Sequence, residues 1–153
     1  MTIRSALAAA AAAAGCATAV TAAVSASGAT GPAQIRITDE AVSRSVAPPP
    51  NGGVAGTTEV IAQRLFNRHI SNRAIGRSQI VCTYVDRRNR SCLSTYVLPK
   101  GSLVAAGAVS TRLLYDLPVV GGTGLYDNAR GTVTVTATHV RPRREVLVFR
   151  LVG

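Results

Sequence analysis

Beyond residue 30 the chain alternates between apolar and polar side chains over short runs. The strictest run is Thr132-Val133-Thr134-Val135-Thr136-Ala137-Thr138. A period of two puts every second side chain on one face, which is the mark of a half-buried strand. Comparable runs cover residues 34–40, where Ile35 and Ile37 stand against polar neighbours, and residues 57–66, 76–86, 91–98, 102–110, 113–120 and 144–152. Turn chemistry separates them. Pro48-Pro49-Pro50 and Asn51-Gly52-Gly53 mark a loop over 47–56, and 67–73 is polar. Asp86-Arg87-Arg88, Pro99-Lys100-Gly101 and Arg141-Pro142-Arg143 read as turns. No helical period and no internal repeat occurs after residue 30. Eight short strands at close spacing predict an all-β sandwich or closed barrel.

The first thirty residues follow a different rule. Arg4 supplies a short positive start, residues 5–24 are Ala-rich and nearly uninterrupted, and small residues follow from Ser25 to Ala29. That order predicts a secretory signal peptide over 1–29, cut after Ala26 or Ala29, and a secreted chain. A lipid anchor on Cys16 is the alternative, although the apolar run continues past that residue and a leucine three positions before it is absent. The organisation expected is thus signal peptide 1–29, an N-terminal strand and Pro/Gly-rich loop over 30–56, and a β domain over 57–153. Export also suits the cysteines. Cys82 and Cys92 are equally placed about the turn at Asp86-Arg87-Arg88, so a hairpin would set them opposite each other within disulfide reach. Their spacing matches no zinc pattern, and no metal site is expected.

The chain carries 17 basic and 7 acidic residues, a formal charge of +10, and Lys100 is its one lysine. Such a balance favours polyanions. No basic run is interleaved with stacking aromatics, so nucleic acid is not the expected partner. An anionic cell-wall polymer stays open, as does the plain reading of arginines in solvated turns.

Three segments resemble one family. Ile75-Gly76-Arg77-Ser78-Gln79 is similar to a Val-Gly-Arg-Ala-Gln segment of plant dirigent proteins. Leu98-Pro99-Lys100-Gly101-Ser102-Leu103, with Gly107, resembles a strand pair of bacterial allene oxide cyclase barrel-like proteins. The run from Asp116-Leu117-Pro118-Val119-Val120 through Gly121-Gly122-Thr123-Gly124 to Ala129-Arg130-Gly131 resembles an element shared by both groups. The resemblance spans about residues 57–153. It implies a bacterial secreted member with an eight-stranded antiparallel barrel around an apolar lumen, often assembled as a trimer. Lignan-forming dirigents tend to carry an acid just after the glycine turn and a His-Asp pair early in the barrel. Leu125 stands at the first place and no such pair is present, which argues against lignan-type coupling. The glycine run has a physical reading of its own. A phosphate-cradling loop needs a helix after the glycines, whereas a strand follows Gly131, so Gly121, Gly122, Thr123, Gly124 and Gly131 read as a structural turn.

Within this frame Asp116 is the candidate proton donor or acceptor if it faces the lumen, and otherwise an outer-face partner for arginine. Arg130 is a lumen-mouth cation or a partner for carbonyls of the glycine turn. Tyr84, Tyr96 and Tyr115 line a ligand pocket or pack the barrel, and Tyr126 plugs one end. His69 and His139 have no adjacent acid or nucleophile, so a catalytic triad is not expected. In an up-and-down barrel one rim would carry Arg44, Arg87, Arg88, Arg90, Arg112, Arg141, Arg143 and Arg144. Two function classes stay open. The favoured one is non-catalytic binding of a small apolar ligand or of a surface polymer. The other is a cyclase- or dirigent-like guide for a reaction in the lumen. No cofactor is implied. A lumen packed with Val, Leu and Phe would favour the first, and a pocket with inward acid, Tyr or Arg side chains the second.

Overall fold

The computed structural model describes residues 33–67, 73–138 and 144–152. The expected signal peptide, Cys16, His69, His139, Arg141 and Arg143 lie outside the described residues. Eight strands follow in order: β1 (Ala33–Ala47), β2 (Thr58–Phe66), β3 (Gly76–Tyr84), β4 (Asn89–Leu98), β5 (Gly101–Ser110), β6 (Leu114–Gly122), β7 (Arg130–Ala137) and β8 (Arg144–Val152). Each pairs antiparallel with its neighbour in sequence, and β1 pairs with β8, so the sheet closes into an up-and-down barrel. Closure removes the two edges an open sheet would expose.

The inward positions are every second residue of the alternation seen in sequence, even-numbered in β3 and β4 and odd-numbered in β5 to β8. Ile37, Leu65, Ile80, Leu103, Leu117, Val133, Val135, Leu147 and Phe149 all point inward and are buried. Tyr96 and Phe149 meet edge to face across the middle of the lumen, with ring centroids 5.0 Å apart. Each fully buried Leu, Val or Phe contributes about 1.5–3 kcal/mol relative to an exposed one. The middle of the barrel is therefore packed rather than hollow.

Cys82 and Cys92 face each other across β3 and β4 and form a disulfide. Asp86 closes the hairpin between them, its Oδ1 accepting the backbone N–H groups of Arg88 and Asn89.

Two irregularities shape the wall. β1 does not stop near residue 40 but continues to Ala47, because a bulge between Ala41 and Ser43 resets its register against β2. Its second half pairs with β2 alone, past the end of β8. The other irregularity lies between β5 and β6, where pairing shifts at Val104/Ala105. Pro118 cannot donate to a ladder, and it sits in β6 beyond this shift, close to the inward Gly107.

The glycine run turns the chain from β6 to β7 through a single 3₁₀ turn, Gly124–Tyr126. Thr123 N–H donates to the Ser102 carbonyl and Leu125 N–H to the Lys100 carbonyl, which ties the turn to the start of β5. Gly131 has φ of +137°, and a side chain there would collide with the Arg150 carbonyl of β8.

Candidate functional site

Along the barrel axis the inward side chains change character. One end, at the glycine turn, is closed by Leu98, Leu103, Val119, Ala129 and Leu151, with Tyr126 packed against them. Toward the other end, the same inward alternation delivers Asp39 and Ala41 from β1, Glu59, Ile61 and Gln63 from β2, Tyr84 from β3, Arg90 from β4 and Glu145 from β8. Together they line a cavity of about 310 Å³. Thr111, Arg112 and Leu113, in the turn between β5 and β6, form part of its lip. The cavity therefore opens at the rim where topology gathers the arginines.

Two carboxyl groups dominate it. Glu59 is 2% exposed, and both its oxygens are engaged. Arg44 Nε donates to Oε1, while Arg90 Nη1 at 3.2 Å and the Tyr84 hydroxyl at 3.0 Å donate to Oε2. The bulge in β1 makes the first contact possible, since it brings Arg44 onto the inward side opposite Ile61. Arg90 also lies over the Tyr115 ring, 5.7 Å from its centroid. Glu59 is thus a paired, hydrogen-bonded anion of the kind that tolerates burial.

Asp39 is different. It is 1% exposed and sits directly across from Glu145 in the β1–β8 ladder. Its Oδ1 accepts the Glu145 backbone N–H at 3.0 Å, and its Oδ2 is buried without a hydrogen-bond partner. Burial first, and the neighbouring Glu145 charge second, push the Asp39 carboxyl up to about 8, against opposing help from the Glu145 N–H and the Gln63 side chain. At neutral pH it holds a proton. Gln63 is itself oriented by Ser78, whose hydroxyl donates to Oε1 at 2.8 Å.

Tyr96, buried in the packed middle of the barrel, has its phenol pushed above its ordinary value mainly by burial. The Ser94 hydroxyl beside it eases that shift, although neither oxygen makes a well-formed hydrogen bond. A protonated acid at the wall of a small cavity can donate a hydrogen bond or a proton to a carbonyl or alkoxide placed there. Among the described residues no three His, Cys, Asp or Glu side chains are placed to hold a metal ion.

The residues singled out in sequence fall in different places. Tyr84 lines the cavity, Tyr96 is packed in the core against Phe149 and is not among the cavity's lining residues, and Tyr115 carries Arg90. Tyr126 packs at the closed end. Asp116 is on the outer surface, where it accepts the Thr134 hydroxyl at 2.6 Å, and Thr134 in turn accepts from Arg150 Nη1 at 2.9 Å. Arg130 is exposed at the closed end, donating to the Ala129 carbonyl at 3.0 Å. Asp39, Glu59, Gln63 and Glu145 were not singled out, yet the signal was present. Asp39 shares the parity of Ile35 and Ile37, Glu59 that of Ile61, and Glu145 that of Leu147 and Phe149. An acid on the apolar parity of a strand points inward, whereas Asp116 alternates with the inward Tyr115, Leu117 and Val119.

Comparison with known proteins gives a consistent picture. The profile of the family described as "Dirigent-like protein" matches residues 29–152. Among solved structures, a pyocyanin demethylase superposes with a TM-score of 0.65 at 17% identity, covering 76% of this chain and 99% of its own. The pterocarpan synthase dirigent protein PsPTS1 gives 0.61 at 16% identity, covering 80% and 97%. The Diels–Alderase AbmU from Streptomyces koyangensis gives 0.62 at 23% identity, covering 84% and 72%. A search of curated proteins finds no match.

Proposed function

The chain belongs to the dirigent-like family, and from that premise we propose that it is a secreted barrel that holds a small molecule in its arginine-rimmed end and guides a proton-assisted reaction of that molecule. The observation that carries this reading is the buried Asp39 carboxyl, protonated at neutral pH and facing Glu145 at the wall of the cavity. A purely structural barrel gains nothing from such a group, because burying an acid with an unpaired oxygen destabilises the fold. The cavity is at the small end of the range for ligand sites, roughly 300–1,000 Å³. Its apolar stretch at Ile61 and Leu113 suits the carbon skeleton of a ligand, and its polar side suits one or two oxygens. The names of the structural neighbours, a demethylase, a pterocarpan synthase and a Diels–Alderase, support the use of this fold to hold small organic substrates. Asp39 acts as the acid, burial first and Glu145 second raise its proton affinity, and Gln63 and Tyr84 position what is bound.

A small test substrate reports directly on such a group. In nitrobenzisoxazole, a carboxylate removes the ring C–H proton while the N–O bond breaks, releasing a coloured phenolate. The expected result is a rate above buffer that rises through an inflection near pH 8, where Asp39 loses its proton. The Asp39→Asn variant is expected to lose that inflection while remaining folded. A pH–rate profile identical in parent and variant would remove Asp39 from the chemistry.

A further inference from the structure

The charges around the cavity point to the class of molecule it takes. Glu59 is a single negative charge held by two guanidiniums, those of Arg44 and Arg90. Arg112 stands on the lip and makes no salt bridge among the described residues. Arg87 and Arg88 occupy the adjacent exposed turn, and the acid of that turn, Asp86, is committed to capping it. Asp39, a second carboxyl of the wall, is neutral at physiological pH. Among the described residues positive charge therefore exceeds negative charge at the mouth, even with Glu145 counted as an anion. The buried part of the wall includes Gln63 and the uncharged Asp39, with the half-buried Ile61 beside them.

Building on the small-molecule reading above, we infer that the ligand is a small organic anion, a carboxylate or phenolate, whose charged group rests at the mouth by Arg112 and Arg44 while its uncharged body enters the barrel toward Asp39. Two features make this orientation the favourable one. A half-enclosed site strengthens an ion pair relative to open water, so an anion at the lip gains more than it would on a flat surface. The reverse pose would place the anion beside Glu145 and within a space that already favours a neutral acid. A basic collar also steers anions to the opening and raises the rate of capture.

A matched pair of fluorescent probes separates charge from shape. Anilinonaphthalene sulfonate and uncharged phenylnaphthylamine share one aromatic body and differ in the sulfonate. The parent is expected to bind the sulfonate probe about tenfold more tightly, with the preference shrinking in high salt and in Arg112→Gln. Arg112 lies in an exposed turn, so that substitution leaves the core untouched. Ile61→Trp, which fills the cavity, is expected to abolish binding of both probes. Equal affinity for the two would overturn the anion assignment and leave the small-molecule reading standing. A sulfonate preference that survives Arg112→Gln or Ile61→Trp would place the anion elsewhere on the basic surface and overturn it too. Binding of neither probe to the parent would remove the pocket reading and this inference together.

Discussion

Asp39 shows how position on a strand overrides residue type. In the unfolded chain its carboxyl titrates at 3.8, and folding moves it to about 8. Between those values the folded protein keeps a proton that the unfolded chain releases. Stability from this group is therefore full below the lower value and declines as pH rises, with the loss complete above the upper one. Asp39→Asn preserves the acceptor for the Glu145 N–H and has nothing to ionise. Denaturant unfolding across that window should show a downward slope in the parent and a flatter one in the variant, which becomes the more stable above pH 8. A parent whose stability is level across the window would contradict the buried, protonated acid. Asp116 makes the contrast. It looked exceptional as an acid in an apolar run, but its parity sends it outward to Thr134 and Arg150. Parity could be read from the chain. The Asp39–Glu145 meeting could not, since 106 residues separate the two.

At the scale of the elements, the alternation located all eight strands and missed how far the first one runs. β1 reaches Ala47 because a bulge absorbs the break in pattern after residue 40. That bulge matters to the site, since it brings Arg44 around to Glu59. The disulfide and the glycine turn were legible because both depend on local geometry: equal arms about a turn, and glycines where the chain crosses a barrel mouth. Gly131 gives the sharpest test. A methyl group there meets both a disfavoured φ of +137° and the Arg150 carbonyl. Gly131→Ala should therefore lower stability by about 2–4 kcal/mol in thermal or denaturant unfolding. Gly52→Ala, at φ +68° with open space around it, should cost about 1 kcal/mol. Equal costs at the two sites would show that the approach of β7 to β8 is not what requires Gly131.

For the whole molecule, closure of the barrel decides where chemistry can sit. Pairing of β1 with β8 turns the inward faces into one lumen, packed in its middle by Tyr96 and Phe149, and among the described residues its cavity lies toward the rim of the β1–β2, β3–β4 and β5–β6 connections. The family match begins at residue 29, next to the expected cleavage sites after Ala26 and Ala29. N-terminal sequencing of the chain recovered from the medium of an expressing bacterium should begin at Ser27 or Thr30. A product that retains residues 1–26 would refute the leader assignment.

The amino-acid sequence alone determined the all-β character, the strand positions, the cysteine pair, the glycine turn and the family, because each rests on periodicity or on short motifs. It also implied, through topology, that arginines gather at one rim. Only the tertiary structure decided that this rim is the open end and that Asp39, Glu59 and Glu145 converge beneath it. The reason is that a buried site draws one residue from each of several strands. What makes those residues a site is their shared enclosure, which exists only once the sheet has closed.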